Sequence, residues 1–121
     1  MKNLFPSLHR YKTIVAFAVL SLTIICCHST SYLIPSQADV PIAQTHWQTA
    51  SLDELNKGYS IYADKCTNCH DMKNPKDFSA DDWTNHYMPS MGKKAKLNDI
   101  EYQLVLHYVL TKREELINAK K

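Results

Sequence analysis

The stretch SLDELNKGYSIYADKCTNCH, residues 51–70, decides how this chain is read. It opens as a capping box: Ser51 can accept from an early backbone N–H while Glu54 reaches back. A helix is therefore predicted to follow. Leu52, Leu55, Tyr59 and Tyr62 recur every three or four residues and give it one apolar face as far as about Cys66. The stretch closes on two cysteines separated by two residues, with a histidine directly after. Working outward, Ser79-Ala80-Asp81-Asp82 and Asn98-Asp99-Ile100-Glu101 repeat the capping logic. They predict a short helix over residues 80–87 and a longer one over residues 99–115. On the latter, Ile100, Leu104 and Tyr108, flanked by Val105 and Leu106, form the expected buried stripe, while Lys112 and Arg113 suit its negative C-terminal end. No strand pattern competes, so the predicted class is all-α.

The chain has 121 residues, 45% apolar and 21% charged, the balance of one small globular domain. With two glycines, five prolines and no long internal repeat, collagen-like and solenoid architectures are excluded. The formal charge of +2 misleads, because Lys2, Arg10 and Lys12 precede the first apolar run. From Cys27 onward there are 11 Lys plus Arg against 12 Asp plus Glu. A near-neutral surface lacks the clustered cations that release counterions from nucleic acid, so that class of partner is set aside. A domain of about 70 residues gains roughly as much from apolar burial as it loses in ordering entropy. Something besides side chains is expected to complete the core.

Cys66-Thr67-Asn68-Cys69-His70 supplies it: C-x-x-C-H is the attachment signature of c-type haem. Two thiols one helical turn apart reach the two vinyl groups on one edge of a porphyrin, and the following imidazole points at the iron. The competing readings are weaker. Tetrahedral zinc wants four ligands, and the sequence has no second C-x-x-C and no H-x-x-x-H pair. A redox-active dithiol belongs beside a βαβ pattern, of which there is no sign, and a structural disulfide would leave His70 unexplained.

With these residues in view the sequence resembles class I cytochromes c over about residues 52–111. Gly58 and Tyr62 stand at the spacing where that family places a glycine and an aromatic residue on its first helix, and Val105 and Tyr108 match the apolar and aromatic positions of its last helix. The run from Trp83 to Leu97 looks like the small membrane-attached monohaem cytochromes of exported bacterial lipoproteins. The resemblance implies a cytochrome c-like fold of about three helices around one covalent haem c. It implies thioethers from Cys66 and Cys69, His70 as proximal iron ligand, and a methionine as sixth ligand on the loop before the last helix. Met91 is the favoured candidate, since Met88-Pro89 would closely follow a helix end; Met88 and His86 are the alternatives. The segment between His70 and Met91 is shorter than in many members of the family. Trp83 is expected to pack near the haem, and Lys93, Lys94 and Lys96 either rim its edge and steer an acidic partner or form a solvated face. His107 receives no role.

Residues 13–25 (TIVAFAVLSLTII) carry no charge and follow a basic segment, the pattern of an export signal over residues 1–26. A helix of that length spans about 20 Å, against about 30 Å for a bilayer's hydrocarbon core. Ile24-Ile25-Cys26-Cys27 resembles a lipobox, with Cys27 as the lipidated residue; an uncleaved anchor is the alternative. Residues 27–50, rich in Ser, Thr, Gln and Pro, read as a flexible tether that Asp39, Trp47 and nearby apolar residues could pack back on the domain. Residues 51–121 form the domain itself. The expected function is one-electron transfer rather than enzymatic catalysis. The expected partners are a membrane respiratory oxidoreductase or an exported haem or copper enzyme, met in the cell envelope or periplasm at the surface that holds the lipid anchor. The rival readings are an open haem site that binds oxygen, peroxide or a diatomic gas, and an accessory subunit whose haem completes a larger complex.

Overall fold

The computed structural model describes residues 30–119. It is all-α, with no strand among the described residues. Helix α1 spans Asp39–Gln44, and α2 spans Leu52–Ile61 and runs on as a π-helical turn over Tyr62–Cys66. After a 3₁₀ turn at Pro75–Asp77, a second π-helical segment, Asp82–Tyr87, leads without a break into α3, Met88–Lys94. The longest helix, α4, covers Asp99–Asn118.

The helix starts lie where the capping pattern puts them. Asn98 and Glu101 form a reciprocal box, with Glu101 N–H 2.9 Å from Asn98 Oδ1 and Asn98 N–H 3.1 Å from Glu101 Oε2. Ser79 and Asp82 exchange the same pair at 3.0 and 3.2 Å. Ser51 makes only half of its box: its hydroxyl accepts from Glu54 N–H at 3.2 Å, while the Glu54 carboxylate lies 2.6 Å from His107 Nδ1 on α4. A long-range partner outcompetes the local one.

The principal helix pair is α2 with α4. Gly58 makes the crossing possible, because a Cβ there would stand 2.8 Å from Tyr108 Cβ and still closer to the Leu104 carbonyl oxygen. Around the crossing lies the core of Tyr62, Cys66, Trp83, Met88, Val105, Tyr108 and Val109. Two expectations change here. The buried residues of α4 are Val105, Tyr108, Val109, Thr111 and Lys112, whereas Ile100 is 73% exposed. The third helix does not stop at Tyr87 but continues through Pro89 to Lys94. The wider π winding just before Pro89 makes room for its ring against the carbonyl four residues back, where a regular α-helix would kink or break.

The described part of residues 27–50 packs back on the domain, the alternative that Asp39 and Trp47 left open for the tether. Leu33, Asp39, Ala43 and Ala50 are buried, and α1 lies along α4. Lys112 Nζ sits 3.0 Å from each carboxylate oxygen of Asp39, both side chains almost wholly buried. Tyr108 Oη donates to the Leu33 carbonyl at 3.0 Å, and the rings of Trp47 and His107 stack with centroids 3.9 Å apart. No helix among the described residues is long and apolar enough to cross a membrane. The proposed signal and Cys27 lie outside the described residues.

Candidate functional site

Cys66 ends the π-helical turn of α2, and the chain then leaves the helix so that Cys69 and His70 follow in an exposed bend. Thr67 Oγ1 donates to the Ala63 carbonyl at 2.6 Å, closing the orphaned end of the helix. Both thiols are free; Cys66 is buried and Cys69 exposed. Burial pushes the Cys66 thiol above its ordinary pKa, so it stays protonated at neutral pH.

His70 Nδ1 lies 2.7 Å from the carbonyl oxygen of Asp71. A carbonyl only accepts, so Nδ1 carries the hydrogen and Nε2 presents its lone pair. That is the tautomer a metal-binding imidazole needs, with the other ring nitrogen held by a backbone acceptor. The loop beyond is fixed by three side chains that donate to its carbonyls: Tyr62 Oη to Lys73 at 2.9 Å, Trp83 Nε1 to Pro75 at 2.8 Å and Arg113 Nε to Phe78 at 2.7 Å. Trp83 is fully buried and packs edge-on to Tyr62 and Phe78. It therefore acts as a strut for this loop.

Opposite stands α3. Gly92 faces α4, where a Cβ would come within 2.9 Å of the Tyr102 ring, and its neighbour Met91 turns toward the cysteines. The helix ends in a Schellman motif: Lys96 N–H bonds to the Lys93 carbonyl at 3.2 Å and Leu97 N–H to the Gly92 carbonyl at 2.9 Å, with Lys96 in the left-handed region at φ 54°.

Between these two walls is a cavity of about 480 Å³. Cys66, Cys69, His70 and Met91 all line it, with Lys65 and Asn68 on the cysteine side and Lys94, Ala95 and Lys96 on the α3 side. Its size falls within the range of sites that take a cofactor or small ligand. The two methionines are placed quite differently. Met88 is 1% exposed within the core cluster and does not line the cavity, whereas Met91 is partly exposed and does. His86 is exposed, turned edge-on to Tyr87, and also lies off the cavity. Among the described residues no group of three or more His, Cys, Asp or Glu side chains could hold a bare metal ion.

Sequence reasoning gave no role to His107, which pairs with Glu54 and stacks on Trp47. Only the register of α2 against α4 brings those residues together, and no local pattern carries it. Comparison of the chain with protein-family models, with curated proteins and with solved structures finds no match.

Proposed function

We propose that the chain is a one-electron carrier built around a single covalently attached haem c, and that it is not an enzyme. One observation carries this reading: two free thiols, an imidazole with Nε2 available and a methionine thioether line a single cavity. The donor set fits the group. Cys66 and Cys69 would hold it through thioethers, and His70 Nε2 and the Met91 thioether would ligate the iron. A haem held this way supplies a ferric/ferrous couple that stores and releases one electron.

The protein's own contribution is to hold the residues of that site in place. The Asp71 carbonyl holds the His70 ring, and the three donors to the following loop hold its backbone. With both His70 and Met91 as ligands the iron would have no open position for a substrate or gas, which separates this reading from an oxygen- or gas-binding haem protein. Export, lipidation at Cys27 and a redox partner in the cell envelope, either a membrane oxidoreductase or an exported haem or copper enzyme, belong to the same proposal. A lipid anchor would hold the carrier at high effective concentration near such a partner.

The test is a reduced-minus-oxidised spectrum of the purified full-length protein, with haem staining after denaturing electrophoresis. Staining that survives acid-acetone extraction, together with a low-spin spectrum carrying the weak sulfur-to-iron band of the ferric form, is expected. Loss of stain on extraction overturns the covalent haem, and tight carbon monoxide binding by the reduced protein overturns the six-coordinate carrier.

A further inference from the structure

Residues 30–50 join the proposed lipid anchor to the helices that carry the cavity, and they are fastened to α4 at four places. The Leu33 carbonyl accepts from Tyr108 Oη at 3.0 Å, Asp39 meets Lys112, His46 Nε2 lies 3.1 Å from Glu114 Oε2, and Trp47 stacks on His107. The first of these contacts stands only six residues beyond Cys27, and His28 and Ser29 alone separate Cys27 from the 3₁₀ turn Thr30–Leu33. A chain advances at most about 3.6 Å per residue, so Thr30 lies within about 11 Å of Cys27. Leu33 is also near the cavity. The ring of Tyr108, on which its carbonyl rests, stands 5.7 Å from that of Tyr62, and Tyr62 comes one helical turn before Cys66. By side-chain length and helical rise, Leu33 is within about 20 Å of Cys66. A free chain from Cys27 to Ser51 would instead have a root-mean-square span of about 27 Å and let the domain roam.

We propose that residues 30–50 are a strap that holds the cavity at a short, fixed height, within about 40 Å of the anchored cysteine, and that the electron partner is a redox protein embedded in the same bilayer. The inference rests on the carrier reading and on lipidation at Cys27, and it chooses between the two partner classes named there. A membrane protein presents its redox face at one height above the bilayer, so a carrier held at that height finds it by lateral diffusion alone. The strap is ordered before the encounter, and no tether has to be ordered on docking. Effective concentration is greatest when the span of a linker matches the separation of the sites, and a short span matches a partner at the bilayer surface. A soluble enzyme arrives from any direction and gains nothing from a fixed height.

The experiment uses the full-length, lipidated, haem-loaded protein. Neutron reflectometry on a supported bilayer of phosphatidylethanolamine and phosphatidylglycerol measures the water layer between headgroups and protein. Washed native membranes, stripped of soluble exported proteins, give the rate at which the ferrous haem is reoxidised under dioxygen or the ferric haem is reduced with succinate. Wild type is compared with a variant carrying a Gly/Ser spacer of about 24 residues between Ser29 and Thr30, and with one carrying the same spacer after Lys121. Wild type is expected to leave a water layer no wider than about 11 Å and to exchange electrons at full rate with washed membranes. The spacer at Thr30 should widen the layer to about 27 Å. It should also slow exchange about tenfold, as effective concentration falls with the −3/2 power of linker length. The spacer after Lys121 should change neither readout. A wider water layer in wild type, equal slowing by both spacers, or exchange that disappears on washing and returns with the soluble fraction overturns the strap and its partner while leaving the carrier reading intact. An unmodified Cys27 in the mass spectrum of the mature protein, or a preparation without thioether haem, overturns the reading on which it rests.

Discussion

Met88 and Met91 lie three residues apart on one helical segment, and burial gives them different work. Met88 is fully enclosed among core side chains, so truncation leaves a void that packed neighbours fill only in part. Met88→Ala is expected to cost about 2–5 kcal/mol, read by chemical denaturation, while the ferric sulfur-to-iron band persists. Met91→Ala should do the reverse: the band is lost, the reduced protein binds carbon monoxide, and stability toward denaturant falls less than in Met88→Ala. If Met88→Ala alone loses the band, the ligand assignment is wrong. Lys96 offers a second separation at this scale. Lys96→Gly relieves the left-handed backbone and is expected to stabilise the fold by about 1 kcal/mol, raising Tm by about 4–8 °C for a domain of this size. It also removes a cavity charge, so stability and potential should move independently. A fall in Tm would mean that the lysine side chain makes a stabilising contact that outweighs the backbone strain.

Elements were legible from the sequence wherever a local rule governs them. Ser51, Ser79 and Asn98 start helices because a side-chain oxygen next to an early N–H needs nothing from the rest of the fold. Gly58 and Tyr108 stood out in the sequence only through the family resemblance; that α2 and α4 cross at them is read from the structure, where only a residue without Cβ lets the backbones come so close. The misses are equally specific. Helix α1 is six residues long and has little stability of its own; it is held by Lys112, 73 residues away from Asp39, and no window along the chain contains both. Helix continues through Pro89 from a π-helical turn, at a residue that in sequence normally signals a stop. Of the candidate site, Cys66, Cys69 and His70 were legible as a contiguous motif. Met91 was already favoured over Met88 in the sequence; the structure adds that Met91 lines the cavity while Met88 is buried in the core. The clasp of α1 on α4 makes a prediction at this scale. Lys112→Met strands the Asp39 carboxylate with only Ser36 N–H at 2.6 Å and Ser36 Oγ at 3.0 Å, and should destabilise the protein by about 3–5 kcal/mol. Adding Asp39→Leu should recover much of that loss. Amide exchange over residues 39–50 should quicken in the single variant, and exchange unchanged there would show that the ion pair does not hold the segment.

Across the whole molecule, α4 meets the cavity wall in its first turn, where Glu101 holds Lys65, and carries the α1 clasp farther along, where Lys112 holds Asp39, so it joins the two. Its first turn is the electrostatic weak point. Glu101 completes the Asn98 cap and holds Lys65, the residue next to Cys66, and those hydrogen bonds, the one from Lys65 foremost, keep its carboxyl below its ordinary pKa. Asp82 is lowered in the same sense by Ser79 at the start of the helical segment that carries Met91. In both cases the unfolded chain binds protons at a pH where the folded one does not. The stabilisation is therefore complete above the ordinary carboxyl range and is lost as pH falls through the folded values. Both groups bear on the elements that form the cavity walls, so acid should loosen the Cys66 and Met91 sides. Glu101→Gln tests this by subtraction. At neutral pH it should be less stable than wild type, because the Lys65 ion pair is gone. The difference should close as pH drops well below 4.5, where wild-type Glu101 is protonated as well. A stability gap that stays constant down to that range would show that Glu101 acts through packing rather than charge.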